Sequence, residues 1–311
     1  MYQVRKTSRS EFIPLRNLRY HVRTWGQPQA RQAPLVLVHG WMDVGASFQF
    51  MVDALQQERH IIAPDWRGFG LTDAGGADNY FFPDYLADLD FLIDHFSPDA
   101  PVDLLGHSMG GNIAMVYAGV RPARIRRLVN LEGFGLAATH PKQAAGRYAK
   151  WMDELKGLHR GELQLRPYDS LAGVVARLMK TNPRLARDDA GRHKAEWLAQ
   201  HWAREEAQPD GTSRWQVLGE PAHKISNAQL YRVDEVLDIY RRITAPVLAV
   251  EATDNSLQKW WGGSYTLEQY HERLKSVPQV QTAVIDDAGH MLHHDQPGAL
   301  ARLIEDFLGK H

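Results

Sequence analysis

Short apolar runs recur along this 311-residue chain, interleaved with stretches whose apolar residues are spaced for a helix. Pro34-Leu35-Val36-Leu37-Val38 is the clearest run, unbroken and bounded by Pro34 and Gly40. A strand with one wet face alternates apolar and polar residues, so an unbroken run predicts a strand buried on both faces. His60-Ile61-Ile62-Ala63, Val102-Asp103-Leu104-Leu105, Ile125 to Leu131, Ala245 to Val250 and Val280 to Ile285 are similarly short and apolar. Helices are expected over Ser47 to Leu55, Pro83 to Phe96, Ser108 to Val120 and Gln296 to Leu308. In the third, Met109, Ile113, Val116 and Val120 share one face. Strands alternating with amphipathic helices predict an α/β fold. Its expected form is a mostly parallel eight-stranded sheet with helices on both faces, opened by a hairpin formed from Phe12 to Leu15 and Leu18 to Trp25.

The alternation breaks from Phe134 to about Thr244. No strong strand run occurs there, while Trp151, Trp197, Trp202 and Trp215, with loop signals at Asn182-Pro183 and Pro209-Asp210-Gly211, predict helices and loops. The expected organisation is a core of residues 1–133 and 245–311, interrupted by a helical cap over 134–244.

Composition narrows the chemistry. With no cysteine in the chain there is no disulfide framework, thiolate metal site or thiol nucleophile, so covalent chemistry has to run through oxygen or nitrogen. The 36 Lys+Arg against 37 Asp+Glu give no basic excess, which argues against nucleic acid as a partner. No stretch of about 18 apolar residues occurs, and Met1 to Gly26 lacks the apolar centre of a secretory signal. A cytoplasmic protein without a membrane span is expected.

Gly106-His107-Ser108-Met109-Gly110-Gly111 stands between a predicted strand and a predicted helix, the context of a nucleophile elbow. There a serine sits in a strained turn, and flanking glycines let strand and helix approach closely enough to expose its hydroxyl. Serine hydroxyl is a weak nucleophile at neutral pH and needs a base. Asp287-Ala288-Gly289-His290 follows the last strand run, so His290 is expected at the same end of the sheet as Ser108.

Serine, acid, then a late histidine, each after a strand, is the order of the α/β-hydrolase triad, and at this point the chain resembles that superfamily over nearly its whole length. His39-Gly40-Trp41, Pro64-Asp65-Trp66-Arg67-Gly68-Phe69-Gly70, the serine elbow, and Gly289-His290 followed by Pro297 carry the resemblance. His39-Gly40-Trp41-Met42-Asp43 with Ala46-Ser47-Phe48, and Leu131-Glu132-Gly133-Phe134-Gly135, look like the serine-hydrolase-like branch. The resemblance implies an oxyanion hole from the backbone N–H groups of Met109 and Trp41, and structural roles for Asp65 and Arg67. Trp260-Trp261 is expected at the pocket mouth or, by preference, at the cap interface.

The triad acid is less direct. Family members mostly place it after the seventh strand, where this chain has Asn255 at the aligned position and Asp254 one residue early. The alternative family position, after the sixth strand, holds Glu132. Glu132 is preferred, with Asp254 second and Glu251 third. His290, His293, His294 and Asp295 crowd together at spacings that suit a metal, but the resemblance assigns His290 to the triad, and no metal or cofactor is expected.

Relatives that displace halide or open epoxides carry aspartate at the elbow, so Ser108 implies acyl transfer instead. The expected activity is cleavage of a carboxylic ester or thioester through an acyl-enzyme, with a small acyl substrate as partner and a homodimer as candidate assembly. An amide, a lactone or a carbon–carbon bond beside a ketone comes second, and a non-catalytic ligand receptor on the same fold third.

Overall fold

A computed structural model describes residues 1–208 and 211–309. The predicted opening hairpin is β1 (Arg9–Leu15) and β2 (Leu18–Trp25), followed by β3 (Leu35–Val38), a 3-10 turn (Gly45–Phe48), α1 (Gln49–Ala54), β4 (Ile61–Pro64), α2 (Phe82–Phe96), β5 (Val102–His107), α3 (Met109–Val120) and β6 (Ile125–Leu131). Then come α4 (Ala144–His159), α5 (Leu171–Thr181), α6 (Asp189–Trp202), β7 (Ala203–Ala207), β8 (Ser213–Val217) and α7 (Val233–Arg241). The core resumes with β9 (Val247–Asp254), α8 (Leu257–Trp261), α9 (Leu267–Leu274), β10 (Val280–Gly289), α10 (Leu292–Asp295) and α11 (Pro297–Gly309).

Eight strands form one sheet in the order β1-β2-β4-β3-β5-β6-β9-β10. β1, β2 and β4 pair antiparallel, and β4 through β10 pair parallel. The unbroken run at Leu35–Val38 is buried on both faces: Val36 and Val38 pack into the core on one side of the sheet, Leu35 and Leu37 into the core on the other. Burying a valine or leucine side chain contributes about 1.5–3 kcal/mol, so both faces of this central strand favour the observed register.

Between β3 and β5 the strand order switches direction: β4 lies on one side of β3 and β5 on the other. A crevice opens at such a switch point beyond the carboxyl ends of the strands. The segments after β3, β5, β6 and β10 all leave the sheet at that end.

Over 134–244 the structure adds to the helices and loops a two-stranded antiparallel hairpin, β7–β8. Its strands, Ala-Arg-Glu-Glu-Ala and Ser-Arg-Trp-Gln-Val, are mostly exposed or half-buried, with Ala203 and Val217 buried. A hairpin so polar carries little apolar pattern. Of the loop signal at Pro209-Asp210-Gly211, Pro209 and Asp210 lie outside the described residues. Val174, Val175, Trp197 and Leu198 of this segment form a core with Val44, Ala46 and Phe50, seating it against the turn after β3. Among the described residues, no helix is long and apolar enough to cross a membrane.

Candidate active site

β5 ends at His107 and α3 begins at Met109, so the chain turns at Ser108, whose φ of 54° and ψ of −115° lie outside the regions non-glycine residues normally occupy. Such a conformation costs on the order of 1–3 kcal/mol and persists because its surroundings hold it. Glycines make the room: a Cβ on Gly106 would stand 2.3 Å from the Gly110 carbonyl oxygen, and one on Gly110 would stand 2.2 Å from the Val38 oxygen. The Ser108 N–H donates to the Leu131 carbonyl at 2.8 Å, fixing the elbow against β6. Among the described residues, the non-glycine positions with positive φ are Arg16, Met42, Ser108, Glu132 and Asp287. All but Arg16 lie in the segments that converge here.

His290 Nε2 lies 3.0 Å from Ser108 Oγ, and its Nδ1 lies 3.2 Å from Glu132 Oε2. Glu132 directly follows β6, is buried, and is held by β9 and the residues after it. The Ala252 N–H donates to Oε1 at 2.8 Å, while the N–H and hydroxyl of Ser256 contact Oε2 at 3.2 and 3.3 Å. A carboxylate so oriented fixes which imidazole nitrogen bears hydrogen, leaving Nε2 free to accept the serine proton. Sequence reading missed the supporting groups, because Ala252 acts through its backbone and Ser256 resembles any loop serine.

The segment after β3 packs directly on the elbow: a Cβ on Gly40 would stand 3.1 Å from Ser108 Cβ. His39 anchors it. Its Nδ1–H donates to the Gly40 carbonyl at 2.8 Å, and its Nε2 accepts the Trp66 N–H at 2.9 Å. Burial pushes its pKa down to about 4, so it remains neutral and keeps both bonds. Met109 is the first residue of α3, where backbone N–H groups lack an intrahelical acceptor and the helix dipole favours negative charge. Trp41 is 46% exposed, and its Nε1–H donates to the His223 carbonyl at 3.2 Å.

Asp254 and Glu251 are not brought to His290. Asp254 pairs with Arg184, and Glu251 takes His271 at 2.6 Å. His293, His294 and Asp295 do not converge with His290 on one point. His294 Nε2 is 2.6 Å from Ser47 Oγ, whereas Asp295 accepts from Gly289 N at 2.9 Å and from Asn182 Nδ2 at 2.7 Å. Arg67 grips buried Asp88 through two bonds of 2.6 Å, and Asp65 accepts the Gly45 and Leu71 N–H groups, so both brace the loop after β4. Trp261 packs edge-on to Tyr265 at 6.3 Å. Trp260 is 59% exposed, with its ring 6.5 Å from that of His290.

Another serine–histidine–carboxylate chain lies elsewhere: Ser10 Oγ is 2.5 Å from His21 Nε2, and His21 Nδ1 is 2.7 Å from Asp65 Oδ2. Ser10 belongs to β1, whereas Ser108 stands at the N-terminus of α3, where backbone N–H groups lack an intrahelical acceptor. Two surface clefts, of about 260 Å³ beside Arg5 and Glu58 and about 300 Å³ beside Gln164 and Arg214, include neither Ser108 nor His290 in their linings. Convergent chemistry, not cleft volume, marks the site.

Residues 33–297 match the α/β hydrolase fold family, and the chain belongs to that family. A serine hydrolase-like protein of Danio rerio is 26% identical over 321 residues, spanning 96% of this chain and 88% of the relative. A 3-hydroxybutyrate-oligomer hydrolase of Cupriavidus necator is 24% identical, spanning 95% of this chain and 94% of the relative. Among solved structures, a thioesterase domain from the curacin biosynthetic pathway superposes with a TM-score of 0.78 at 23% identity, over 96% of this chain and 99% of that one. That likeness is one of fold.

Proposed function

We propose that this chain is a serine hydrolase that cleaves a carboxylic ester or thioester through an acyl-enzyme, with Ser108 as nucleophile, His290 as base and Glu132 as acid. The observation that carries the reading is the continuous relay from Ser108 Oγ through both nitrogens of His290 to Glu132, built on a strained elbow. Ser108 Oγ attacks the acyl carbon as His290 Nε2 takes its proton. The carbonyl oxygen, now anionic, is held by the N–H groups of Met109 and Trp41. Collapse expels the alcohol or thiol, protonated by His290. Water then enters by the same route and releases the acid, returning the proton to Ser108.

Residues 134–244 act in this reading as a cap. Trp202 Nε1–H donates to the Met42 carbonyl at 2.8 Å, the Gly70 N–H to Leu218 at 2.9 Å, and Asn182 Nδ2–H to Asp295. These bonds join the segment to the loops after β3 and β4 and to α10. Exposed Trp260 and Trp41 would flank the entrance, giving it an apolar rim suited to an acyl chain.

The test is a series of p-nitrophenyl esters from acetate to palmitate, run beside thioester, amide and lactone substrates, with fluorophosphonate labelling of Ser108. Ester or thioester turnover together with labelling is expected. Labelling with turnover only of amides or lactones transfers the same triad to another bond, and no labelling makes the chain a non-catalytic binder.

A further inference from the structure

Behind the Ser108 site lies a second polar cluster that acyl transfer does not use. Asp43 belongs to the loop after β3, His107 is the residue before Ser108, and His293 lies on α10, three residues beyond His290. All three are buried, at 8%, 1% and 0% exposure. Among the described residues, Asp43 Oδ2, His107 Nδ1 and His293 Nδ1 have no hydrogen-bond partner. One donor atom from each residue lies within 4.8 Å of the other two, and the other ring nitrogen of His293, Nε2, stands 4.0 Å from Asp43 Oδ2 and 3.2 Å from Ser47 Oγ.

Leaving a buried polar atom unpaired costs about 1–3 kcal/mol, so three in one cluster call for an explanation. The tautomer of His107 supplies a direction. Its Nε2 lies 2.7 Å from the His290 carbonyl, which can only accept, so hydrogen sits on Nε2 and Nδ1 presents a lone pair. Metal-binding histidines characteristically donate their second ring nitrogen to a carbonyl or carboxylate in this way. The cluster thus combines two imidazoles with a carboxyl that no neighbouring cation pairs among the ion pairs of the described residues, save His293 at 4.0 Å.

We propose that Asp43, His107 and His293 form a binding site for one divalent transition-metal ion of the zinc, cobalt or nickel class. Two imidazoles and one carboxylate suit these ions rather than magnesium or calcium, which prefer all-oxygen shells. Donors at about 2.0–2.1 Å in a tetrahedral shell stand about 3.3 Å apart, so each side chain has to close in by less than about 1 Å. The ion would tie together the loop after β3, the elbow strand and the turn carrying His290, whichever bond Ser108 attacks.

Chelator-treated protein titrated with Zn²⁺ by calorimetry tests the site, with thermal unfolding followed in parallel. One ion per chain is expected, with a raised melting temperature. Asp43→Asn and His293→Gln should each weaken binding at least about tenfold. His290→Ala should bind as the wild type does, which separates this cluster from the triad. No saturable binding below millimolar Zn²⁺, or binding lost in His290→Ala but retained in Asp43→Asn, would overturn the proposal. If the Asp43 and His293 variants fail to fold, the Co²⁺ spectrum of the His290→Ala protein decides. Intense visible bands of a low-coordinate nitrogen–oxygen shell support the site, and the weak bands of hydrated Co²⁺ overturn it.

Discussion

His290 Nδ1 lies 3.2 Å from Glu132 Oε2, although 158 residues separate them in the chain. Asp254, which stands near the family's more usual acid position, faces Arg184 instead. Glu132→Gln keeps the shape but removes the charge that stabilises imidazolium, and its amide nitrogen meets backbone donors where an acceptor is needed. Turnover of an ester by Glu132→Gln is therefore expected to fall by about 10²–10⁴-fold, with little change in Asp254→Asn. Steady-state kinetics on both variants checks this, and the reverse ranking would move the acid to Asp254.

How much of this arrangement was legible beforehand depended on whether a residue's role was written in its own neighbourhood. The Ser108 elbow and the doubly buried strand at Leu35–Val38 were legible, because glycine spacing and unbroken apolar runs are local signals. The sequence ranked Glu132 first but left Asp254 and Glu251 open, since which acid meets His290 depends on how β6 and β9 pair. α9 could have been found from the capping box in which Thr266 and Gln269 satisfy each other's backbone groups. The β7–β8 hairpin and the Asp43–His107–His293 cluster had no such signal. One has little apolar alternation, and the other gathers residues from three distant segments.

Ser108 and Ser10 each contact a histidine that hydrogen-bonds a carboxylate, and they differ in what surrounds the hydroxyl. Ser108 stands at the N-terminus of α3, whereas Ser10 lies within β1. Fluorophosphonate labelling should vanish in Ser108→Ala and be unchanged in Ser10→Ala. Peptide mapping of the adduct measures this, and label on Ser10 would show that the relay alone suffices without helix-terminal donors.

Two glycines separate elbow packing from helix propensity. Gly110→Ala drives a Cβ to within 2.2 Å of the Val38 oxygen and 2.6 Å of the His39 oxygen, both rigid backbone atoms. Loss of more than about 3 kcal/mol, or failure to fold, is expected. At Gly146, in α4, a Cβ meets nothing within 4 Å, so Gly146→Ala should stabilise by about 0.5–1 kcal/mol through helix propensity and reduced unfolded-state entropy. Urea unfolding of the two variants gives both values.

Acid stability should depend on His223, which reaches from the 134–244 segment to stack between Phe69 and Tyr80 at centroid distances of 3.6 and 3.8 Å. Its Nε2–H donates to the Gly68 carbonyl at 3.1 Å, and its Nδ1 faces the Tyr85 hydroxyl at 3.4 Å. Burial lowers its pKa to about 3, whereas an unfolded imidazole titrates near about 6.5. Between those values the unfolded chain binds the proton and the folded chain does not. The stabilisation is therefore complete above the unfolded value and is lost progressively as pH falls toward the folded one. His39, with its pKa near 4, acts in the same direction. His223→Gln keeps an N–H donor but cannot titrate, so its stability should fall less steeply with acid, by up to about 1.4 kcal/mol per pH unit near pH 5. Urea unfolding from pH 4.5 to 8 measures the two slopes, and equal slopes would mean that His223 is already protonated in the folded protein.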